Sequence, residues 1–94
     1  MNTATTTIGL AHHPRMTGHY RLQWEEVQKS WVLLYPEGMV KLNSSAGEIM
    51  QRLDGVKTVQ HVIDDLEKQF QTTNLEPEVL SFLAIAQAQG WVKP

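Results

Sequence analysis

The sequence predicts an α+β fold in which a three-stranded antiparallel sheet is followed by three helices. Between residues 20 and 42, apolar and polar residues tend to alternate, which is typical of strands with one buried face. After Asn43 the apolar residues recur every three or four positions, which is typical of amphipathic helices. A length of 94 residues suits one hydrophobic core and is too short for two. The predicted order along the chain is therefore βββααα.

Residues 1–18 are expected to form a flexible N-terminal tail, ahead of a domain that covers residues 19–94. The tail is rich in threonine and shows no apolar period, and Ile8 and Leu10 are its sizeable apolar side chains before His12-His13-Pro14. Such a segment buries too little surface to offset the entropy that it would lose on ordering.

Three short segments have the pattern of strands. Residues 20–24 alternate between large apolar and polar side chains and predict a half-buried strand. The β-prone run 31–35 predicts a second strand, and residues 39–42 predict a third after the turn at Pro36-Glu37-Gly38. Because both connections are short, the strands are expected to form an antiparallel meander.

Three helices follow, each with an apolar stripe. Ser45 and Glu48 predict a capping box at the start of the first helix, and Thr58 predicts the cap of the second. Pro77 suits the first turn of the third helix, and residues 91–92 after it either return to the sheet or fill the core. The stripes consist of Ala46, Ile49, Met50 and Leu53, then of Val59, Val62, Ile63, Leu66 and Phe70, and then of Val79, Leu80, Phe82, Leu83 and Ala86.

Composition excludes several classes of function. The absence of cysteine excludes disulfides, thiolate zinc sites, cysteine-ligated iron–sulfur clusters and a cysteine nucleophile. No apolar run approaches the roughly 18–20 residues that span a bilayer, and no signal-peptide pattern opens the chain, so we expect a cytoplasmic protein without a membrane partner. A formal net charge of −2 argues against a protein that holds phosphate backbones.

No group of side chains predicts a catalytic centre, and we expect no catalytic residue, metal site or cofactor. His12 and His13 are neighbours without a third ligand at a fixed spacing, and His61 is expected on the exposed side of a helix. Ser44 and Ser45 precede a helix, where capping is their expected role. The sequence therefore predicts a protein that binds rather than an enzyme.

A winged-helix DNA-binding regulator is the alternative, because strands and three helices can build that fold. Such a protein needs a helix that presents basic or amide side chains to bases and phosphates. The third helix, from Glu76 to Gln89, contains no lysine or arginine. We therefore expect no nucleic-acid partner.

A peptide groove is the prediction that the remaining features favour. The last strand of the meander is an end strand, whose free N–H and C=O groups can accept another strand. The third helix carries more large apolar residues than one stripe needs, because Leu80 and Phe82 cannot both point with Leu83 into one seam. A wide core contact explains this surplus alone, but together with the free edge it predicts a groove for an extended peptide.

Several stretches carry a resemblance to a known family. They are Arg21-Leu22-Gln23-Trp24, Trp31 to Gly38, Lys41-Leu42-Asn43, Ser45 to Ile49, Leu53-Asp54-Gly55 and Thr58-Val59. This pattern, which covers residues 20–92, resembles the PqqD family of pyrroloquinoline quinone biosynthesis. The N-terminal segment lies outside the resemblance.

The resemblance implies a winged-helix-like fold of the precursor-peptide recognition type. It implies an adaptor that binds the leader of the precursor peptide PqqA and presents it to the radical SAM enzyme PqqE, which crosslinks a glutamate to a tyrosine. It also implies that the leader adds a strand between the third strand and the third helix. The corresponding residues are Met39, Val40, Lys41 and Leu42 on the strand, and Val79, Leu80, Phe82, Leu83, Ala86 and Gln87 on the helix. A homodimer through strand exchange is compatible with the free edge.

Overall fold

The computed structural model describes residues 7–94 and confirms the predicted fold class. The elements are β1 (Arg15–Met16), β2 (Arg21–Glu25), β3 (Ser30–Tyr35), β4 (Gly38–Lys41), α1 (Ser44–Met50), α2 (Val59–Phe70), α3 (Glu76–Ala88) and β5 (Val92–Lys93). A three-stranded antiparallel sheet in the order β2-β3-β4 precedes the three helices, and β1 pairs with β5 in a second, two-stranded sheet. Within residues 7–94, no helix combines the length and the apolar character needed to cross a bilayer.

The main sheet has one face against the helices. The register aligns Leu22, Leu33 and Val40 across the three strands, so their side chains lie on the same face. Leu33 is fully buried in the core, and Leu22 and Val40 pack against it. Trp24 and Trp31 form the next pair on this face, with ring centroids 5.5 Å apart. The face predicted for Leu22 is therefore confirmed, whereas Trp24, at the end of the strand on the same face, is 42% exposed.

Helix α1 lies close to the sheet because Gly47 faces Trp31. A Cβ atom at Gly47 would lie 2.7 Å from Cδ1 of Trp31, so a larger residue would push the helix away. The cap of α1 differs from the prediction, since Oδ1 of Asn43 accepts a hydrogen bond from the backbone N–H of Ala46 at 2.8 Å. Ser45 lies within the first turn, and its hydroxyl donates to the same Asn43 oxygen at 3.1 Å. The predicted capping box is wrong because the helix begins two residues earlier.

Helices α2 and α3 begin and end where the sequence predicts. Oγ1 of Thr58 accepts a hydrogen bond from the backbone N–H of His61 at 3.0 Å, which confirms it as the cap of α2. Gln71, in the left-handed region with φ of 52°, ends this helix. Pro77 lies in the first turn of α3, and Gly90 follows that helix with φ of 82°, a conformation that favours glycine.

Residues 7–18, which we call the N-terminal strap, pack onto the domain instead of forming the predicted tail. Ile8 is only 4% exposed. The backbone carbonyls of Leu10 and His12 accept hydrogen bonds from the N–H groups of Gln60 and Val59 at 3.1 and 3.0 Å. These N–H groups belong to the first turn of α2, where a helix has no partners of its own. The strap is held largely by backbone groups, which composition does not reveal. Residues 1–6 lie outside the described residues.

Candidate functional site

The outer side of β4 is a free edge of the main sheet. The N–H of Leu42 donates to the carbonyl of Trp31 at 2.9 Å, in the register of the β3–β4 pair. Because bonded and non-bonded pairs alternate in an antiparallel ladder, Val40 directs its N–H and C=O to β3. The main-chain groups of Met39 and Lys41 therefore point away from β3, and no strand within residues 7–94 pairs with them. This edge offers two N–H donors and two C=O acceptors to an added strand.

The side chains of β4 differ between the two faces of the sheet. Met39, which is 51% exposed, and Lys41 lie on the outer face, whereas Val40 and the buried Leu42 lie on the helix side. A strand added to this edge would place alternate side chains on these two faces. The edge therefore favours a partner strand with apolar residues at every second position.

An apolar cavity begins three residues beyond the end of β4. Its volume is about 290 Å³, and it lies between the start of α1, the end of α2 and the start of α3. This is at the lower limit of small-molecule sites, which measure about 300–1,000 Å³. It suits one or two apolar side chains. The apolar walls are Ile49, Leu66, Phe70, Leu75 and Val79, and Glu48 and Glu78 also line the cavity.

One side of α3 continues from this cavity. Glu78 lines the cavity, and residues four and seven positions further along a helix lie on the same side, so Phe82 and Ile85 extend that wall. Phe82 is partly buried against the core, whereas Ile85 is 55% exposed. The strip from Glu78 to Ile85 is about 10 Å long, and β4 has a similar length of about 10 Å. We call these three residues the α3 strip.

The predicted helix residues fall into three groups. Val79, Leu83 and Ala86 are buried in the core, and Val79 also lines the cavity. Phe82 belongs to the α3 strip. Leu80 and Gln87 lie on the opposite flank of α3. That flank begins at Glu76, which lines a second cavity beside Gln60 and Ile63 of α2. Helical spacing therefore places Phe82 on the cavity side with Val79, and places Leu80 and Gln87 on the opposite flank of α3.

Of the residues that line the cavity, only Val79 was predicted from the sequence as a site residue. Glu48, Phe70 and Glu78 were missed, and so was Ile85 on the same side of α3. Phe70 ends the apolar stripe of α2 and is 51% exposed, so its position before a polar break was a usable signal. Ile85 was a weaker signal, because α3 is apolar on several sides and shows no single stripe. The two glutamates resemble ordinary surface residues until the helices are packed.

The electrostatics of the cavity are set by its carboxylates. Glu48 accepts a hydrogen bond from the Arg52 guanidinium at 2.9 Å, and the same guanidinium donates to Gln69. Within the described part of the chain, Glu78 makes no ion pair or hydrogen bond, and no group of residues has the composition of a metal site. The lining carries no basic side chain, but Arg52 compensates Glu48 from outside it, so Glu78 supplies the one carboxylate of the lining without an ion-pair partner among residues 7–94.

The perturbed carboxyl groups lie elsewhere. The backbone N–H groups of Lys57 and Val56, together with the Lys57 ammonium, hold the pKa of Asp54 well below its usual range. A hydrogen bond from Lys29, and a second from Trp24, lower the pKa of Glu26. Both pKa shifts accompany turns rather than a pocket, and neither predicts acid–base chemistry at the cavity.

Comparisons with known proteins identify the family. The family model described as PqqD, coenzyme PQQ synthesis protein D, matches residues 30–92. The PqqA binding protein of Acinetobacter baylyi is 45% identical over 74 residues, which cover 78% of this chain and 75% of that protein. The PqqA binding protein of Rahnella aquatilis is 41% identical over 87 residues and covers 92% of both chains.

A solved structure supports the same assignment. The solution structure of the PqqD part of Methylobacterium extorquens PqqCD, described as a functional and stand-alone recognition element for ribosomally synthesized and modified peptides, matches with a TM-score of 0.77. It is 26% identical and covers 98% of this chain and 97% of that one. With the family model, the curated relatives and this fold in agreement, the chain belongs to the PqqD family.

Proposed function

We propose that this chain is a peptide adaptor of pyrroloquinoline quinone biosynthesis that binds the precursor peptide PqqA as an added strand on β4. The observation that carries the proposal is the free edge at Met39 and Lys41, followed along the chain by the apolar cavity whose lining begins at Ser44. The names of the curated relatives support PqqA as the ligand. We assign this role to residues 19–94, with the N-terminal strap packed at the opposite end of α2 from the cavity.

The peptide would run along β4 and the α3 strip. The main-chain groups of Met39 and Lys41 would bond to the peptide, and its alternate side chains would reach Val40, Phe82 and the cavity. Each hydrogen bond contributes about 0.5–1.5 kcal/mol, and each fully buried apolar side chain contributes about 1.5–3 kcal/mol. Ordering the peptide opposes binding by about 2–5 kcal/mol. The balance corresponds to a Kd that is micromolar or somewhat lower.

The adaptor is proposed to act without catalytic turnover and to present the bound peptide to the radical SAM enzyme PqqE. The cavity side contains no nucleophile paired with a base, and the family names describe binding. When the chain is incubated with PqqA and a reductant, the mass of the peptide should stay unchanged. A crosslinked peptide formed by this chain alone would contradict the adaptor role.

Amide-shift mapping by NMR tests the binding site directly. Addition of PqqA peptide should shift the amide signals of residues 39–42, 44–49 and the α3 strip more than those of the N-terminal strap. A scrambled peptide of the same composition is the control. Shifts confined to the strap, or equal shifts with the scrambled peptide, would contradict the proposed groove. Addition of PqqE to the complex should then shift a further set of signals while the peptide remains bound.

A further inference from the structure

The cavity differs from a purely apolar peptide pocket in the charge at its rim. Glu48 and Glu78 line it from opposite helices, and its lining includes no lysine, arginine or histidine. Glu48 already has a partner in Arg52, whereas Glu78 has none among residues 7–94. Glu78 is exposed, so it places one carboxylate that has no partner among these residues at the solvent side of the apolar surface.

The helix dipole is another explanation for a glutamate at position 78, and an experiment must distinguish it from a role in binding. Glu76 and Glu78 both lie in the first turn of α3, where the helix dipole favours negative charge. The dipole is equivalent to about half a positive charge, so the two carboxylates leave this end of the helix negative. The dipole explains both residues equally well. Only Glu78 lines the apolar cavity, because Glu76 lies on the opposite flank beside α2.

Building on the proposed function, we infer that the cavity selects a peptide segment in which an apolar side chain lies beside an arginine or lysine. The apolar side chain fills the space between Leu66, Phe70 and Val79, and the cation pairs with the carboxylate of Glu78. The main-chain bonds to β4 carry no sequence information, because every residue except proline has the same groups. Glu78 is thus a specificity residue, which distinguishes this peptide from other extended chains.

The experiment compares two variants that change charge equally. Glu78→Gln and Glu76→Gln each remove one carboxylate from the first turn of α3, so their effects on stability should match. The affinity of each folded variant for PqqA peptide is measured by calorimetry at about 0.1 M and about 0.5 M salt. Glu78→Gln should weaken binding about 2- to 5-fold at the lower salt and reduce its salt dependence, while Glu76→Gln should change it less than about 1.5-fold.

The peptide side of the pair is tested in the same way. Each lysine and arginine of PqqA is replaced in turn by glutamine, and one replacement should weaken binding to the wild-type chain but not to Glu78→Gln. Equal affinities of the two variants, or no peptide position coupled to Glu78, would overturn the inference while leaving peptide binding in place. Failure of the wild-type chain to bind PqqA at all would instead overturn the proposed function.

Discussion

The direction of the main-chain groups on β4 makes a single proline a sharp test of the binding mode. Lys41→Pro removes an N–H group that points away from β3, whereas Val40→Pro removes one that the ladder directs to β3. Proline is tolerated on an edge strand when its missing N–H faces outward. Lys41→Pro should therefore fold and lose peptide affinity, while Val40→Pro should lose stability.

The size of each effect follows from the bonds that are lost. Lys41→Pro removes one peptide hydrogen bond of about 0.5–1.5 kcal/mol, which weakens binding about 2- to 13-fold. The proline ring would also occupy the space of the peptide carbonyl, so this range is a lower bound. Val40→Pro leaves a buried acceptor on β3 without its donor, which costs about 1–3 kcal/mol of unfolding free energy.

Calorimetric titration with PqqA peptide and thermal unfolding together measure both quantities. Lys41→Ala is the matched control, because it removes the same side chain but keeps the N–H, and it should bind within about 2-fold of the wild-type chain. Unchanged affinity in a folded Lys41→Pro variant would refute strand addition at this edge. A stable Val40→Pro variant with weakened binding would show that the ladder alternates in the opposite phase.

Three further predictions concern the fold. Gly47→Ala should lower the unfolding free energy by about 1–3 kcal/mol in chemical denaturation because its Cβ would meet Trp31, whereas Gly18→Ala, where no atom lies within 4 Å, should be close to neutral. Ile8→Ala should lower the unfolding free energy by about 2–4 kcal/mol, because Ile8 is buried in the strap. A decrease below about 0.5 kcal/mol would instead support the flexible tail predicted from the sequence. Asp54 has a lowered pKa when folded, so its contribution to stability is present above the unfolded pKa and is lost as pH falls through the folded pKa. Asp54→Ala should therefore reduce the fall in melting temperature between about pH 5 and about pH 2. The same fall in the variant and the wild-type chain would contradict this prediction.

The elements could be predicted from the sequence because each has a local cause. The inward face of Leu22 in β2 and the cap at Thr58 are set by neighbouring residues, and both appear in the structure. The start of α1 was misplaced because Asn43 and Ser45 are both good caps and the local sequence does not choose between them. The strap was missed for a different reason, since Leu10 and His12 act through backbone carbonyls that every residue carries.

The candidate site could be predicted by element but not by side chain. A free edge and a surplus of apolar residues on α3 were sufficient to expect a groove there. Which flank of α3 faces the cavity depends on how three helices pack, so Leu80 and Phe82 were equivalent in the sequence and are separated only by the fold. The same packing brings Phe70 and Glu78 together from separate helices.

The small size of the β4 edge determines where selectivity must come from. In β4, Met39 and Lys41 direct main-chain groups outward, so any extended chain gains at most four hydrogen bonds there. The same limit applies to a second copy of this protein, if a homodimer forms at this edge. A short edge strand with an exposed lysine is also a common means of limiting self-association. The peptide and a second copy would compete for the same N–H and C=O groups of β4, and these groups would bind the backbone of either one equally well. In the proposed binding mode, discrimination between them would come from the cavity, where apolar contacts and the carboxylate of Glu78 would add to the hydrogen bonds of the backbone.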